Sequence, residues 1–282
     1  MNQSKSYPKV LSIAGSDSSG GAGIQADLKT FSALGVYGAT AITAITAQNT
    51  QGVNSQFALE PQMVYDQIAA VMDDIEPSVV KIGMLSNAAI VEAVAKALHD
   101  YKPSFIVLDP VIVSSTGHRL LSIEAQETIK EKLIPIADLL TPNIPEMKAL
   151  TDSSLSSLEE KKEAAQQLFN LGAKAILLKG GHEDGEVKTD VLFVSQQTTD
   201  NGQQTLSMFT SETVVTNNTH GTGCTLSSAI AAFIARGLSL EDAISEAKNY
   251  VTEAIRAGAD INIGKGIGPV NHSFNPQKMI VL

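Results

Sequence analysis

The sequence predicts an α/β protein in which helices cover both faces of a mostly parallel sheet. Three observations carry that expectation. Short apolar strands alternate with helical stretches along most of the chain. The glycine-rich, acidic and lysine-bearing segments come directly after strands, where the carboxyl edge of such a sheet gathers its functional groups. No composition break, linker or repeat divides the chain, so residues 1–282 are expected to form one domain.

Val10–Ala14 is the first expected strand, and it runs into Gly15-Ser16-Asp17-Ser18-Ser19-Gly20-Gly21-Ala22-Gly23. Glycines packed between a strand and a helix suit a loop that a ligand approaches closely. The spacing is not Gly-x-Gly-x-x-Gly, and no Walker lysine follows. Ile24–Leu34 has helical spacing and stops at Gly35. Gly38–Asn49 and Val53–Leu59 read as a strand pair outside the main alternation, able to form a lid or an edge. Gln48 stands at the end of the first of these strands. Its amide can donate and accept, as recognition of an amine and ring nitrogen requires, although an exposed loop glutamine is the plainer reading.

Further on, Pro61–Asp73 and Ala88–Leu98 read as helices, and Val79–Met84 and Phe105–Asp109 as strands. Asp109 ends an apolar strand, a favoured place for a functional acid; capping of the next turn is the alternative. Glu124–Ile134 is an expected helix and Asp138–Leu140 a short strand. Thr141–Glu146 reads as a loop fixed by two prolines, where the oxygens of Asn143 and Glu146 suit Mg²⁺ or its waters. Ser157 and Glu160 fit a capping box for a helix ending near Gly172. Ala175–Leu178 is a buried strand followed by Lys179-Gly180-Gly181-His182, in which Lys179 and His182 resemble phosphate contacts; a glycine turn with a surface histidine is the alternative. Asp190–Val194 and Leu206–Thr210 form an antiparallel pair joined by the polar run Gln196–Gln204.

The densest signal is Asn217-Asn-Thr-His-Gly-Thr-Gly-Cys-Thr-Leu226, which opens into an apolar helix, Ser227–Ala235, closed by Gly237. Gly221 and Gly223 permit a tight turn, and the helix start offers unpaired N–H groups and the positive end of its dipole to an anion. Cys224 stands there as a thiol that such a position activates, or as a small buried apolar residue. Leu240–Ala257 is a final helix carrying Lys248.

With 30 acidic against 20 basic residues and a net charge of −10, the chain disfavours nucleic acid and anionic membrane as partners. One cysteine excludes an intrachain disulfide. The polar start Met1–Lys9 and the lack of a long apolar run set the expectation of a soluble cytoplasmic protein.

These motifs together resemble the hydroxymethylpyrimidine and hydroxymethylpyrimidine phosphate kinases of thiamine biosynthesis, in the ribokinase superfamily. The resemblance rests on Ala14–Thr30, Ala47-Gln48-Asn49-Thr50, Lys81–Met84, Leu108–Val111, Thr141–Asn143 with Glu146, Lys179–His182, His220–Cys224 and Gly268–His272. It implies a ribokinase-like fold and transfer of phosphate from ATP, with Mg²⁺, to the hydroxymethyl group of an aminopyrimidine and then to its monophosphate. Carried over by motif, Gln48, Gly15, Ala22, Asp27, Met84 and Val111 are expected around the pyrimidine. Asn143, Glu146, Lys179, Thr222 and Lys248 are expected around the nucleotide, with Glu146 and Asp109 toward Mg²⁺. Cys224, Gly221, Gly223 and Lys179 are expected at the reacting phosphoryl, with Cys224 either the base or part of an anion hole. Ile267 departs from the histidine that often precedes the Gly-Pro-Val-Asn-His ending. A pyridoxal kinase of the same superfamily is the alternative, since pyridoxal also carries a hydroxymethyl on a heteroaromatic ring; a non-catalytic nucleotide or vitamin-binding protein is the rival from another class. The early strand pair would leave a sheet edge that a homodimer covers.

Overall fold

The computed structural model describes residues 5–112, 120–181, 185–195 and 204–282. His182 and most of the expected linker Gln196–Gln204 lie outside the described residues. The described strands make one sheet in the order β3-β2-β1-β4-β5-β6-β7-β8-β9. Its centre is β1 (Lys9–Asp17), β4 (Val79–Ile82), β5 (Phe105–Leu108), β6 (Leu139–Leu140) and β7 (Ala175–Leu178), all parallel. β2 (Tyr37–Asn49) also lies parallel to β1, and β3 (Gly52–Ala58) returns antiparallel along its far half. The early strand pair is therefore part of the main sheet and not a separate lid: β2 pairs with β1 from Tyr37 through Thr46. β8 (Val187–Ser195) and β9 (Gln204–Glu212) complete the other edge as the expected antiparallel pair.

The central strands are buried on both faces, hence their near-continuous apolar runs. One core lies where α2 (Pro61–Asp74), α3 (Ala88–Tyr101), α4 (Ile123–Lys132) and α6 (Leu158–Asn170) pack on the sheet, with Ile68, Val94, Ile129 and Leu168 among its buried residues. The second core includes Phe31 of α1 (Gly23–Ala33), Ile230 of α7 (Thr222–Ala235) and Ile244 of α8 (Leu240–Gly258). The predicted capping box of α6 forms at Ser157 and Glu160. Gly35 and Gly237 take positive φ beyond α1 and α7, as expected of residues that stop helices.

One helix was hidden from the sequence reading. Thr141–Glu146 is no free loop: Asn143 caps α5 (Ile144–Thr151), and the Asn143 and Glu146 side chains form a reciprocal capping box. Proline in the first turn is compatible with that helix because the first N–H groups have no intrahelical acceptor.

Candidate active site

The carboxyl ends of the parallel strands open into a cavity of about 720 Å³. Gly15, Ala22, Gln48, Met84, Val111, Asp109, Asn143, Glu146, Lys179, Gly221, Thr222, Gly223, Cys224 and Lys248 line it, so sequence-distant segments meet there as expected. At one end, Gly15 leaves room for Met84, whose Cε would stand 2.4 Å from an added Cβ. At the other, Val214, Val251 and Ile255 supply an apolar wall that the sequence reading did not single out.

Between these ends lies the turn into α7. Gly221 is its N-cap with φ 80°, and a Cβ there would stand 1.8 Å from Gly21 O, so the close approach requires glycine. No side chain caps this helix. Thr222 N–H is occupied by Thr219 O, and the Thr222 hydroxyl donates to the same carbonyl at 2.7 Å. Gly223 and Cys224 follow in the first turn, where no preceding helical carbonyl can take their N–H groups. An uncapped helix start facing a cavity is suited to phosphate oxygens.

Lys179 and Asp109 make a buried pair at 2.8 Å, and Glu146 Oε2 lies 3.7 Å from the same ammonium. Asp109 also accepts from Thr141 and Ser227. Burial disfavours every one of these charges, yet the acids hold Lys179 well above its ordinary range and Lys179 holds Asp109 below its own. For Glu146 burial wins, with Asp109 adding to it and Lys179 opposing, and its carboxyl is pushed up to about 7.

The structure corrects one expectation and gives three others their surroundings. Asp27 does not line the cavity: it is fully buried on α1, 2.9 Å from Lys81 Nζ, and accepts from Ser12 at 2.5 Å and Ser228 at 2.6 Å. A lysine on a strand buried on both faces needs such a counter-charge, and Asp27 supplies it. For Cys224, burial opposes the activation that a helix terminus offers. Burial pushes its thiol up to about 11; Lys81 opposes the rise, while Asp27 and Asp109 add to it. Lys248 reaches the cavity wall, but with its charge already bound to Asp190 at 2.7 Å. Lastly, Glu146 and Asp109, expected toward Mg²⁺ or its waters, both line the cavity beside Lys179. Lys179 approaches both, Glu146 is half-spent on the capping box, and no group of three or more His, Cys, Asp or Glu placed to hold a metal ion occurs among the described residues. Such a set fits a magnesium ion only as a phosphate-bound, largely hydrated one, in which a single carboxylate contributes.

Two site residues escaped the sequence reading. Lys81 lines the cavity floor, and its signal was a charge inside the apolar run Val79–Met84. His220 lies 2.8 Å from Asp17 and 3.3 Å from the Gln48 amide. Its position next to Gly221 was visible, but its partners, far away in the chain, were not.

A mostly parallel sheet with an uncapped glycine turn, a buried lysine and an apolar wall around one cavity defines a small-molecule kinase of ribokinase-like fold. A profile of the phosphomethylpyrimidine kinase family matches residues 17–271, and the chain belongs to that family. It is 46% identical over 264 residues to the hydroxymethylpyrimidine/phosphomethylpyrimidine kinase of Escherichia coli, covering 93% of this chain and 96% of that one. It is also 46% identical over 273 residues to the thiamine biosynthesis bifunctional protein ThiED of Geobacter sulfurreducens, but spans only 54% of that relative's length, against 96% of its own. Among solved structures, the ADP complex of Bacillus subtilis pyridoxal kinase superposes with a TM-score of 0.84 at 36% identity, covering 95% of this chain and 98% of that one.

Proposed function

We propose that this protein transfers the terminal phosphoryl group of ATP to the hydroxymethyl group of the thiamine-precursor aminopyrimidine, and then phosphorylates the resulting monophosphate. The observation that carries this reading is the meeting, in one cavity, of an amide-bearing end (Gln48, Gly15, Ala22, Met84, Val111) and an uncapped helix start beside Lys179. The near-complete coverage of the Escherichia coli hydroxymethylpyrimidine/phosphomethylpyrimidine kinase at 46% identity supports it.

The adenine base belongs against Val214, Val251 and Ile255, and the phosphates run toward Lys179, Asn143 and Gly221–Cys224. Phosphoryl transfer has a loose transition state, so catalysis is positioning and charge neutralisation. Lys179 stays protonated and neutralises the transferring group, and the N–H groups of Gly223 and Cys224 meet its equatorial oxygens. Glu146 is the carboxylate for the magnesium that ATP carries, and when bound that ion neutralises phosphate charge. A thiol near 11 holds its proton at neutral pH, so the turn acts as an anion hole more than Cys224 acts as a standing base.

The protein acts as a homodimer on this reading. Ile45 and Phe57 are cross-strand partners on β2 and β3, exposed by 49% and 69%, beside the open edge of the sheet. A second copy covers such a patch, and Phe57→Lys should shift the sedimentation coefficient to that of a monomer. ATP as donor favours a cytoplasmic setting.

Pyridoxal is the second reading, favoured by the structural likeness to pyridoxal kinase. ADP release with ATP and Mg²⁺ separates the two when hydroxymethylpyrimidine, its monophosphate and pyridoxal are compared. Turnover of both pyrimidines with far less of pyridoxal is expected. Dominant pyridoxal turnover would reassign the substrate, and ATP binding without ADP from any of the three would make this a binding protein.

A further inference from the structure

Gln48 closes β2 with its amide held between two neighbours. Oε1 lies 3.1 Å from Thr46 Oγ1, and Nε2 lies 3.3 Å from His220 Nε2. That same His220 nitrogen is 2.8 Å from Asp17 Oδ2. Burial opposes the charge on Asp17, but bonds from His220, from the Ser19 hydroxyl and from the N–H groups of Ser19 and Ala22 outweigh it and hold the carboxyl well below its usual range. Asp17 is therefore an anion and accepts only. Its histidine partner must carry a hydrogen on Nε2. A nitrogen that donates to Asp17 cannot also accept from an amide NH₂, so two donors would face each other at 3.3 Å.

Interchanging the oxygen and nitrogen of the amide removes the conflict, since these atoms are assigned by their hydrogen-bond network. The carbonyl then accepts from His220 Nε2–H, which it shares with Asp17. The NH₂ turns to Thr46 Oγ1, whose single hydrogen already reaches Ser16 O at 3.0 Å and whose lone pairs remain to accept.

We propose that the Asp17–His220 pair is a positioning device that fixes the Gln48 amide with its carbonyl toward His220, and so decides which way round the heteroaromatic alcohol sits. This rests on the reading above that Gln48 faces the ring. An exocyclic amine then donates to the carbonyl on the His220 side, and the adjacent ring nitrogen accepts from the NH₂ on the Thr46 side. In the aminopyrimidine the hydroxymethyl group is bonded next to the amine-bearing carbon. Seating the amine beside His220 carries that hydroxymethyl toward the residues that follow His220, Gly221–Cys224. Pyridoxal carries a formyl group where the pyrimidine has its amine, and that group has no N–H to donate to the Gln48 carbonyl. The device thus favours the pyrimidine through the Gln48 amide.

The test compares hydroxymethylpyrimidine with its analogue in which oxygen replaces the amine and the ring nitrogen carries hydrogen, reversing donor and acceptor. The wild type should prefer the amine by about 100-fold or more in kcat/KM, since a site built to bond one group rejects the reversed one. His220→Phe frees the amide to turn, and the preference should fall roughly 10-fold or more, through the KM of the pyrimidine and with the KM for ATP unchanged. His220→Gln, which can still present an N–H toward Asp17, should retain more of the preference. An unchanged preference with only a lower kcat in His220→Phe would overturn the proposal. Nitrogen NMR of wild-type His220 decides the matter independently of folding of the variants: a hydrogen on Nε2 at neutral pH is expected, and a bare Nε2 overturns the device. If the wild type turns over neither ring, the substrate reading fails, while the nitrogen spectrum still judges the positioning pair.

Discussion

Replacing Lys81 by methionine tests the buried charge layer beneath the cavity. Both side chains of the Lys81–Asp27 pair are fully buried, with the ammonium 2.9 Å from both carboxylate oxygens. Lys81→Met preserves the length of the side chain but leaves Asp27 with only the hydroxyls of Ser12 and Ser228. Breaking a buried pair from one side costs about 3–5 kcal/mol, because an unpaired charge is left behind. At roughly 2–4 °C per kcal/mol for a large domain, the melting temperature should drop by about 10 °C. Lys81→Met with Asp27→Asn removes both charges while keeping an acceptor for a serine, and should recover more than half of the loss. Urea unfolding of the four proteins measures the coupling directly. Additivity within about 0.5 kcal/mol, or a Lys81→Met protein as stable as wild type, would refute the reasoning.

Other outcomes follow from the site. Alkylation of Cys224 by iodoacetamide, read by mass spectrometry on the peptide that carries it, should rise in rate with a midpoint near pH 11, and Lys81→Met should move that midpoint higher. Cys224→Ala should keep turnover within about tenfold of wild type, since a general base would be worth about 10²–10⁴-fold; a loss in that range would restore the base role. Glu146 titrates near 4.5 when unfolded and about 7 when folded, so between those values the folded protein binds more protons. Stability from this group therefore falls as pH rises from 4.5 to about 7, and Glu146→Gln should flatten that interval in melts recorded across it. Identical slopes would contradict the burial argument. Gly221→Ala needs a Cβ at 1.8 Å from Gly21 O in a backbone with φ 80°, and should abolish ATP turnover while circular dichroism still shows the helices.

Much of this was legible because it is local. Strand ends followed by glycine or charge announced the cavity edge, and Gly221–Cys224 announced the helix start. The α5 N-terminus was also local, written as Asn143-Ile-Pro-Glu146, but the same oxygens that signal a capping box also signal a cation site, and spacing cannot separate the two. Asp27 was misplaced because a motif says that a residue matters, not whether it faces ligand or lysine. The rise in the Cys224 thiol was invisible because a helix dipole is read from position, whereas desolvation is read only from what packs around it.

Two long-range contacts tie the first strand and helix to α7 and the residue before its cap. Asp17 bonds His220 across 203 positions, and Asp27 bonds Ser228 across 201. A nascent chain that has made β1 through β9 still lacks the turn that closes the cavity. Neither nucleotide nor alcohol can therefore template the early sheet during synthesis. Each can only hold the finished molecule, by mass action on the completed fold. A chain truncated before His220 should be as sensitive to protease with ATP as without it.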